Sequence, residues 1–422
     1  MSALEYARLQ FGLTASLHFT FVAITLGLVF LVAVMQTRFT TTGKEVYGRM
    51  ARFWGRLYVI NYAVGIATGL VMEFEIGLNW AGLSKLTGDV FGAPLALETL
   101  VAFVLESTLL GLWIFGWGRL GKRLHLGLIW GVAVTALLSA FWVLVSNAFL
   151  QHPVGYRVDE TGTVRLASFG ALLTNSALWF ALTHVVAATL VAGGVLVAGV
   201  SAWRLRRERL GAEDHELFRR SLRLGIRVGL IGTFFVIGFG YAQFGWIDAS
   251  QPMKMAGRGP HAIERQAELV QQYGPGSYLV SDNVGVALGM MIQIANLLFL
   301  VLLVAQVLTY RDALIRKRWA RPMSWLLTLL IPVPVLTAIL GWFVREEGRQ
   351  PWAVYGLLRT ADAVSPMSAG ALRGSTFGFS VLIVGLALVD WWLLARAAAR
   401  KPGGEFGQED EPVRIDRQEV SV

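Results

Sequence analysis

Runs of apolar residues too long for the core of a soluble domain decide what this chain can fold into. Residues 19–34 carry no charge and lie within the first of nine such runs, near 9–36, 53–79, 93–117, 124–150, 170–203, 221–246, 282–309, 323–344 and 374–399. Each is long enough, at about 20 residues, to cross a bilayer. In hydrocarbon every backbone N–H and C=O must be paired within the protein, and a segment of this length does so by itself only as a helix. Composition agrees, since 15% of residues are charged against about 25% in soluble domains. The expected fold class is all-α, a polytopic membrane bundle of about nine transmembrane helices. Residues 1–400 read as one transmembrane domain and residues 401–422 as a polar cytoplasmic tail of disordered composition. No basic stretch precedes the first apolar run, which is too long for a signal-peptide core, so no cleavable signal is expected. The absence of an internal repeat speaks against an inverted-repeat transporter.

Basic residues then sort the connections into two classes. The first carries Arg38, Lys44, Arg49 and Arg52, and the third Arg119, Lys122 and Arg123. The fifth carries Arg204, Arg206, Arg207, Arg209, Arg219, Arg220 and Arg223; the seventh carries Arg311, Arg316, Lys317, Arg318 and Arg321. Arg400 and Lys401 follow the last span. The even connections balance their charges, Lys85 against Asp89, and Arg157 and Arg165 against Asp159 and Glu160. The alternation predicts an outer N-terminus, an inner C-terminus and an odd number of spans. The net charge of +9 is therefore a signal of topology, and nucleic acid is not an expected partner. Two outer connections stand apart: residues 247–281, with GlnProMetLys at 251–254, and residues 345–373, which open with ArgGluGluGlyArgGlnProTrp.

Ionisable groups inside spans are costly and mark function. Of six histidines, His18 and His184 lie within spans; His125 and His215 are expected in inner connections, His152 and His261 in outer ones. At about 1.5 Å per residue, His18, His184 and the pair Met290 and Met291 share the outer half of the membrane. Imidazole and thioether together are an axial pair for low-spin haem iron; spacing alone does not choose between the two methionines. Glu98 and Glu106 lie eight residues apart on the third span, within roughly 80° of each other on a regular helix and about 12 Å apart in depth. Insertion scales charge about 2.5–3.5 kcal/mol for an acidic side chain at the bilayer centre, so two on one helix suit a proton path. Glu73 and Glu75 sit nearer the interface. The chain has no cysteine, which excludes disulfides, iron–sulfur clusters and covalent c-type haem. Two intramembrane histidines are too few for a haem–copper oxidase core or a diquinone cytochrome b.

Several stretches resemble subunit I of the cytochrome bd oxidases. They are ArgLeuGlnPheGlyLeuThr at 8–14 with His18, MetGluPheGluIleGlyLeuAsnTrp at 72–80, and GlyAspValPheGlyAlaProLeuAlaLeuGlu at 88–98. GlyTrpPheValArgGlu at 341–346 and GlyArgGlnProTrp at 348–352 complete the set, and the likeness runs from about residue 5 to 400. It implies a terminal respiratory oxidase of a bacterial or archaeal cytoplasmic membrane. Such an enzyme oxidises quinol at the outer face and reduces O2 to water with protons taken from inside, building proton motive force without a pump. By the resemblance, His184 and Met291 correspond to the axial pair of a low-spin haem b. His18 and Glu346 correspond to ligands at a high-spin haem b and a haem d, or a third haem b, with the assignment between them open. Glu98 corresponds to a carboxylate beside the high-spin haems, Glu106 to a residue of the proton path, Trp342 to an aromatic beside the haems, Arg349 to the outer polar cluster and Lys254 to the donor site. A homologous subunit II is an implied partner, with room for a small single-span subunit.

The chain departs from the family pattern at Tyr241, where an aspartate is usual, at Gly259, where a glutamate is usual, and at Gly289 or Met290, where an arginine is usual. These departures leave another donor, such as a cytochrome c, as the alternative within the family. An ion-coupled transporter using Glu98 and Glu106 is the alternative from another class.

Overall fold

The computed structural model describes residues 1–207, 210–256 and 260–402. Arg209, Gly259 and the tail beyond residue 402 lie outside the described residues. The first two spans are α1 (Ala3–Thr42) and α2 (Glu45–Asn79), both longer than their apolar runs. A capping box explains the early start of α1: the Glu5 amide donates to Ser2 Oγ at 3.2 Å and the Ser2 amide donates to the Glu5 carboxylate at 2.7 Å. Gly43, at φ +67°, ends it in the left-handed conformation that glycine adopts without strain.

The third span differs from expectation in two ways. No loop separates it from α2: α3 (Ala81–Thr99) starts immediately after Trp80, so Lys85 and Asp89 are helical rather than connecting residues. Asp89 instead accepts the Leu166 amide at 2.8 Å and ties the helix to residues 164–166. Residues Leu100–Glu106 are then a π-helical stretch before α4 (Ser107–Phe115). The wider turn replaces the regular α spacing assumed for Glu98 and Glu106, and such stretches frequently mark functional sites.

Helix α5 (Lys122–Gln151) is the fourth span. His125, expected in a connection, lies buried in its first turn. Its Nε2 is 2.8 Å from the Trp113 carbonyl and its Nδ1 2.9 Å from Gln36 Nε2, while Trp113 Nε1 donates back to Gln36 Oε1 at 2.7 Å. That closed network satisfies every polar group it holds and is structural. A hairpin of β1 (Tyr156–Val158) and β2 (Val164–Leu166), then α6 (Phe169–Leu173), leads to α7 (Ser176–Arg207) and α8 (Ala212–Ala242).

Small residues let α7 pack backbone to backbone on its neighbours, as membrane helices do in the absence of a hydrophobic drive between them. A Cβ on Gly194 would stand 2.5 Å from the Gly229 amide of α8, and one on Gly27 of α1 would stand 2.2 Å from the Thr189 carbonyl of α7. Helix α7 is consequently the most enclosed span.

The connection at 247–281 is largely helical: α9 (Phe244–Ser250), α10 (Pro252–Ala256) and the amphipathic α11 (Pro260–Tyr273). Helix α12 (Asp282–Leu308) is the seventh span. After the short α13 (Ala313–Arg316), the eighth is broken into α14 (Arg321–Leu329) and α15 (Val333–Glu347), bent by 42°. Pro332 and Pro334 lack the amides that would continue the helix across the break. A second hairpin, β3 (Trp352–Val354) with β4 (Leu358–Arg359), and α16 (Thr360–Ala363) precede the last span, α17 (Ala369–Ala399). Eight helices among the described residues are long and apolar enough to cross a membrane, or nine with the bent pair counted as one span.

Candidate haem and proton-transfer site

All nine residues singled out above line one cavity of about 1240 Å³ between the helices: His18, Glu98, Glu106, His184, Lys254, Met291, Trp342, Glu346 and Arg349. Sites for single small molecules run to about 1,000 Å³, so this space admits more than one large planar group. Met290 turns away from it and is 50% exposed.

Each soft or nitrogenous donor is set by glycine on a neighbouring helix. His184 of α7 faces Gly240 of α8, where a Cβ would stand 3.2 Å from its ring. The His184 Nδ1 is buried, beside the Val236 backbone, with no well-formed hydrogen bond among the described residues. The Met291 thioether of α12 lies against Gly341 of α15, where a Cβ would stand 3.0 Å from Sδ. His18 of α1 faces Gly69 of α2, and its Nδ1 is 3.0 Å from Thr68 Oγ1.

Glu346, in the last turn of α15, is held from three sides. Its Oε1 accepts from Asn147 Nδ2 at 3.0 Å and Gln151 Nε2 at 3.3 Å, and its Oε2 pairs with Arg349 Nη2 at 2.7 Å. Asn147 also accepts Arg345 Nε at 2.6 Å. Lys254 reaches the same cluster from α10, donating to the Arg345 carbonyl at 3.1 Å and to Gln151 Oε1 at 3.3 Å. Burial first, and then the Arg345 guanidinium, push the pKa of Lys254 well below the ordinary lysine range. Trp342 stacks obliquely on Phe11, their centroids 6.0 Å apart.

Elsewhere on the cavity wall the two carboxylates Glu98 and Glu106 each meet a hydroxyl. Ser139 of α5 donates to Glu98 Oε1 at 3.0 Å, and the Tyr58 hydroxyl of α2 donates to Glu106 Oε1 at 3.2 Å. Tyr62, one turn along from Tyr58, is 3.2 Å from Ser107 Oγ. Glu73 also lines the cavity, whereas Glu75 is fully buried between α1 and α2 with Thr14 Oγ1 at 2.5 Å. Sequence reasoning missed Thr68, Tyr58, Ser139, Arg345, Asn147 and Gln151. The last two stand four residues apart, on one face of an apolar span, and that pattern was a usable signal; a single threonine or tyrosine in a span was not.

Among the described residues no three His, Asp or Glu side chains converge as they would round a bare metal ion. The imidazoles, the thioether and the held carboxylate are instead spread singly round a wide apolar space. That donor set fits metal centres that bring their own equatorial ligands and take one or two axial donors from the protein. It therefore fits haem, held without covalent attachment.

The chain matches the family model described as cytochrome bd terminal oxidase subunit I over residues 6–274 and 280–402. It is 36% identical to the cytochrome bd ubiquinol oxidase subunit 1 of Bacillus subtilis, covering 99% of this chain and 97% of that protein. It is 32% identical to the cytochrome bd-II ubiquinol oxidase subunit 1 of Escherichia coli, covering 91% and 93%. The fold matches the solved bd oxidase structure from Geobacillus thermodenitrificans with a TM-score of 0.84 at 22% identity, covering 95% of this chain and 99% of that one.

Proposed function

This chain belongs to the cytochrome bd terminal oxidase subunit I family, and from that premise we propose that it oxidises quinol at the outer membrane face and reduces oxygen with protons drawn from the cytoplasm. The observation that carries the reading is the convergence of axial-type donors and intramembrane carboxylates on one cavity. Bound haem would supply the one-electron redox chemistry for reducing oxygen. His184 and Met291 would hold a low-spin haem b. His18 and Glu346 would serve the two high-spin haems, one b-type and the other d-type or a third b. Trp342 packs beside them.

The outer cluster serves the donor. Lys254 and Arg349 flank Glu346 at the end of the cavity nearest α10, where a quinol entering from the membrane would shed its protons to the outside. At the other end Glu106, with Tyr58, and Glu98, with Ser139, hold protons along the way from the cytoplasm to the cavity. Protons released outside and consumed from inside separate charge across the bilayer without a pumping element. This orientation takes the N-terminus as outer and the C-terminus as inner, the assignment the basic connections favour.

Subunit II is the expected partner, and the third, seventh and ninth spans leave the most surface for it and for lipid; a small single-span subunit would occupy part of the same surface. The relatives point to the cytoplasmic membrane of a bacterium. The deciding experiment is a reduced-minus-oxidised spectrum of the purified complex with extracted-pigment analysis. Non-covalent haem is the expected result, and a colourless complex would overturn the reading. Turnover with ubiquinol or menaquinol, and none with reduced cytochrome c alone, is expected; the reverse would reassign the donor.

A further inference from the structure

The two cavity histidines differ in how they are held, and the difference lies in one hydroxyl. His184 has no side-chain partner for its Nδ1 among the described residues, whereas His18 Nδ1 is 3.0 Å from Thr68 Oγ1. Thr68 is fully buried, and its Oγ1 also lies 3.0 Å from the Val64 carbonyl and 2.9 Å from the Gly65 carbonyl of its own helix. A hydroxyl has one proton to give. The helix geometry commits that proton to the two carbonyls, which cannot donate in return. Toward His18, therefore, Thr68 presents a lone pair, and the proton between them belongs to the imidazole. Nδ1 carries it, and Nε2 of the neutral ring is left with its lone pair free. The next residue, Gly69, lies under the same ring: a Cβ there would stand 3.3 Å from Cε1 and 3.9 Å from Nε2.

We propose that Thr68 is the positioning residue of the His18 site, fixing the Nδ1–H tautomer so that Nε2 is the iron donor, while Gly69 leaves the ring its room. This rests on the reading of His18 as an axial ligand. A partner on the far nitrogen fixes ring orientation and raises ligand basicity, and its loss typically weakens metal binding about 10–100-fold.

The test uses the purified complex, reading the iron–imidazole stretching band of the high-spin haem and the rate at which that haem is lost to excess apomyoglobin. Thr68→Val is expected to lower the band frequency and to speed haem loss by about 10–100-fold, with the low-spin haem at His184 retained as the sign of an intact fold. Thr68→Ser, which keeps the hydroxyl, is expected to restore both. Should Thr68→Val fail to assemble, the smaller Thr68→Ala is read in the same way. A wild-type band and wild-type haem loss in a folded Thr68→Val or Thr68→Ala complex would overturn the proposal. The parent reading fails separately, and the proposal with it, if His18→Ala leaves the iron–imidazole band in place.

Discussion

The Tyr58 hydroxyl on the second span donates to Glu106 on the third, 3.2 Å away, with both side chains buried. Tyr62, its ring centroid 5.7 Å from that of Tyr58, meets Ser107, the residue next to Glu106. A carboxyl group inside a membrane gains little by being there unless it exchanges something with the cavity it lines.

Glu106→Gln should therefore slow oxygen reduction by roughly 100-fold or more, the usual contribution of a positioned proton-transfer group. Tyr58→Phe should slow it less, since the carboxyl remains. Proton uptake on mixing the reduced complex with oxygen, followed with a pH dye, checks both. Normal uptake in Glu106→Gln would remove this residue from the path.

Met291 and Met290 make a matched pair of controls. Met291→Ala should abolish the low-spin spectrum or convert it to high-spin, and Met291→Leu should do the same with less change in volume. Met290→Ala should leave the spectrum unchanged, because that side chain points away from the cavity and is half exposed. Optical and electron paramagnetic resonance spectra of the three variants decide the matter.

Lys254 links the 247–281 connection to pH. Its pKa is lowered in the folded protein by burial, so between that lowered value and the ordinary lysine value of about 10.4 the unfolded chain binds more protons than the folded one. Folding stability should accordingly rise with pH through that window. Lys254→Met should remove that part of the slope and stabilise the protein at neutral pH, the gain vanishing above about pH 10.4. Thermal unfolding of variant and parent across a pH series measures it. The same variant should raise the KM for quinol with little change in the haem spectra.

Gly194 tests the scaffold. A side chain there would collide with the backbone of α8, not with a flexible neighbour. Gly194→Val should cost about 1–3 kcal/mol or more and reduce the yield of pigmented complex, since His184 lies on α7 and its wall, Gly240, on α8. Gly238→Ala, on α8 with nothing within 4 Å of the added carbon, should be silent.

Lipid imposes its terms locally, and whatever depends on those terms was legible in the chain alone. A run of apolar residues must be helical wherever it sits, so the number and order of the spans followed from Phe19–Val34 and its counterparts. The isolated ionisable groups stood out because hydrocarbon tolerates few of them, and those chosen at His18, His184, Glu98 and Glu106 all line the cavity. The motifs at 88–98 and 341–352 pointed to the family that the comparisons show.

What depends on approach between helices was decided only by the tertiary structure. The spacing of residues 290 and 291 is the same on any helix; which thioether faces the cavity depends on how α12 turns against Gly341. The burial of His125 arises from packing against Gln36, far along the chain, and the π-helical stretch at Leu100–Glu106 has no counterpart in the apolar pattern of the third span. The partners of the candidate ligands are the clearest instance. Thr68 is fifty residues from His18 and Asn147 is 199 from Glu346, and hydrogen bonds over such separations leave no periodicity to read. Hydrophobicity is a property each residue carries alone, whereas the direction of a lone pair exists only between two side chains brought together.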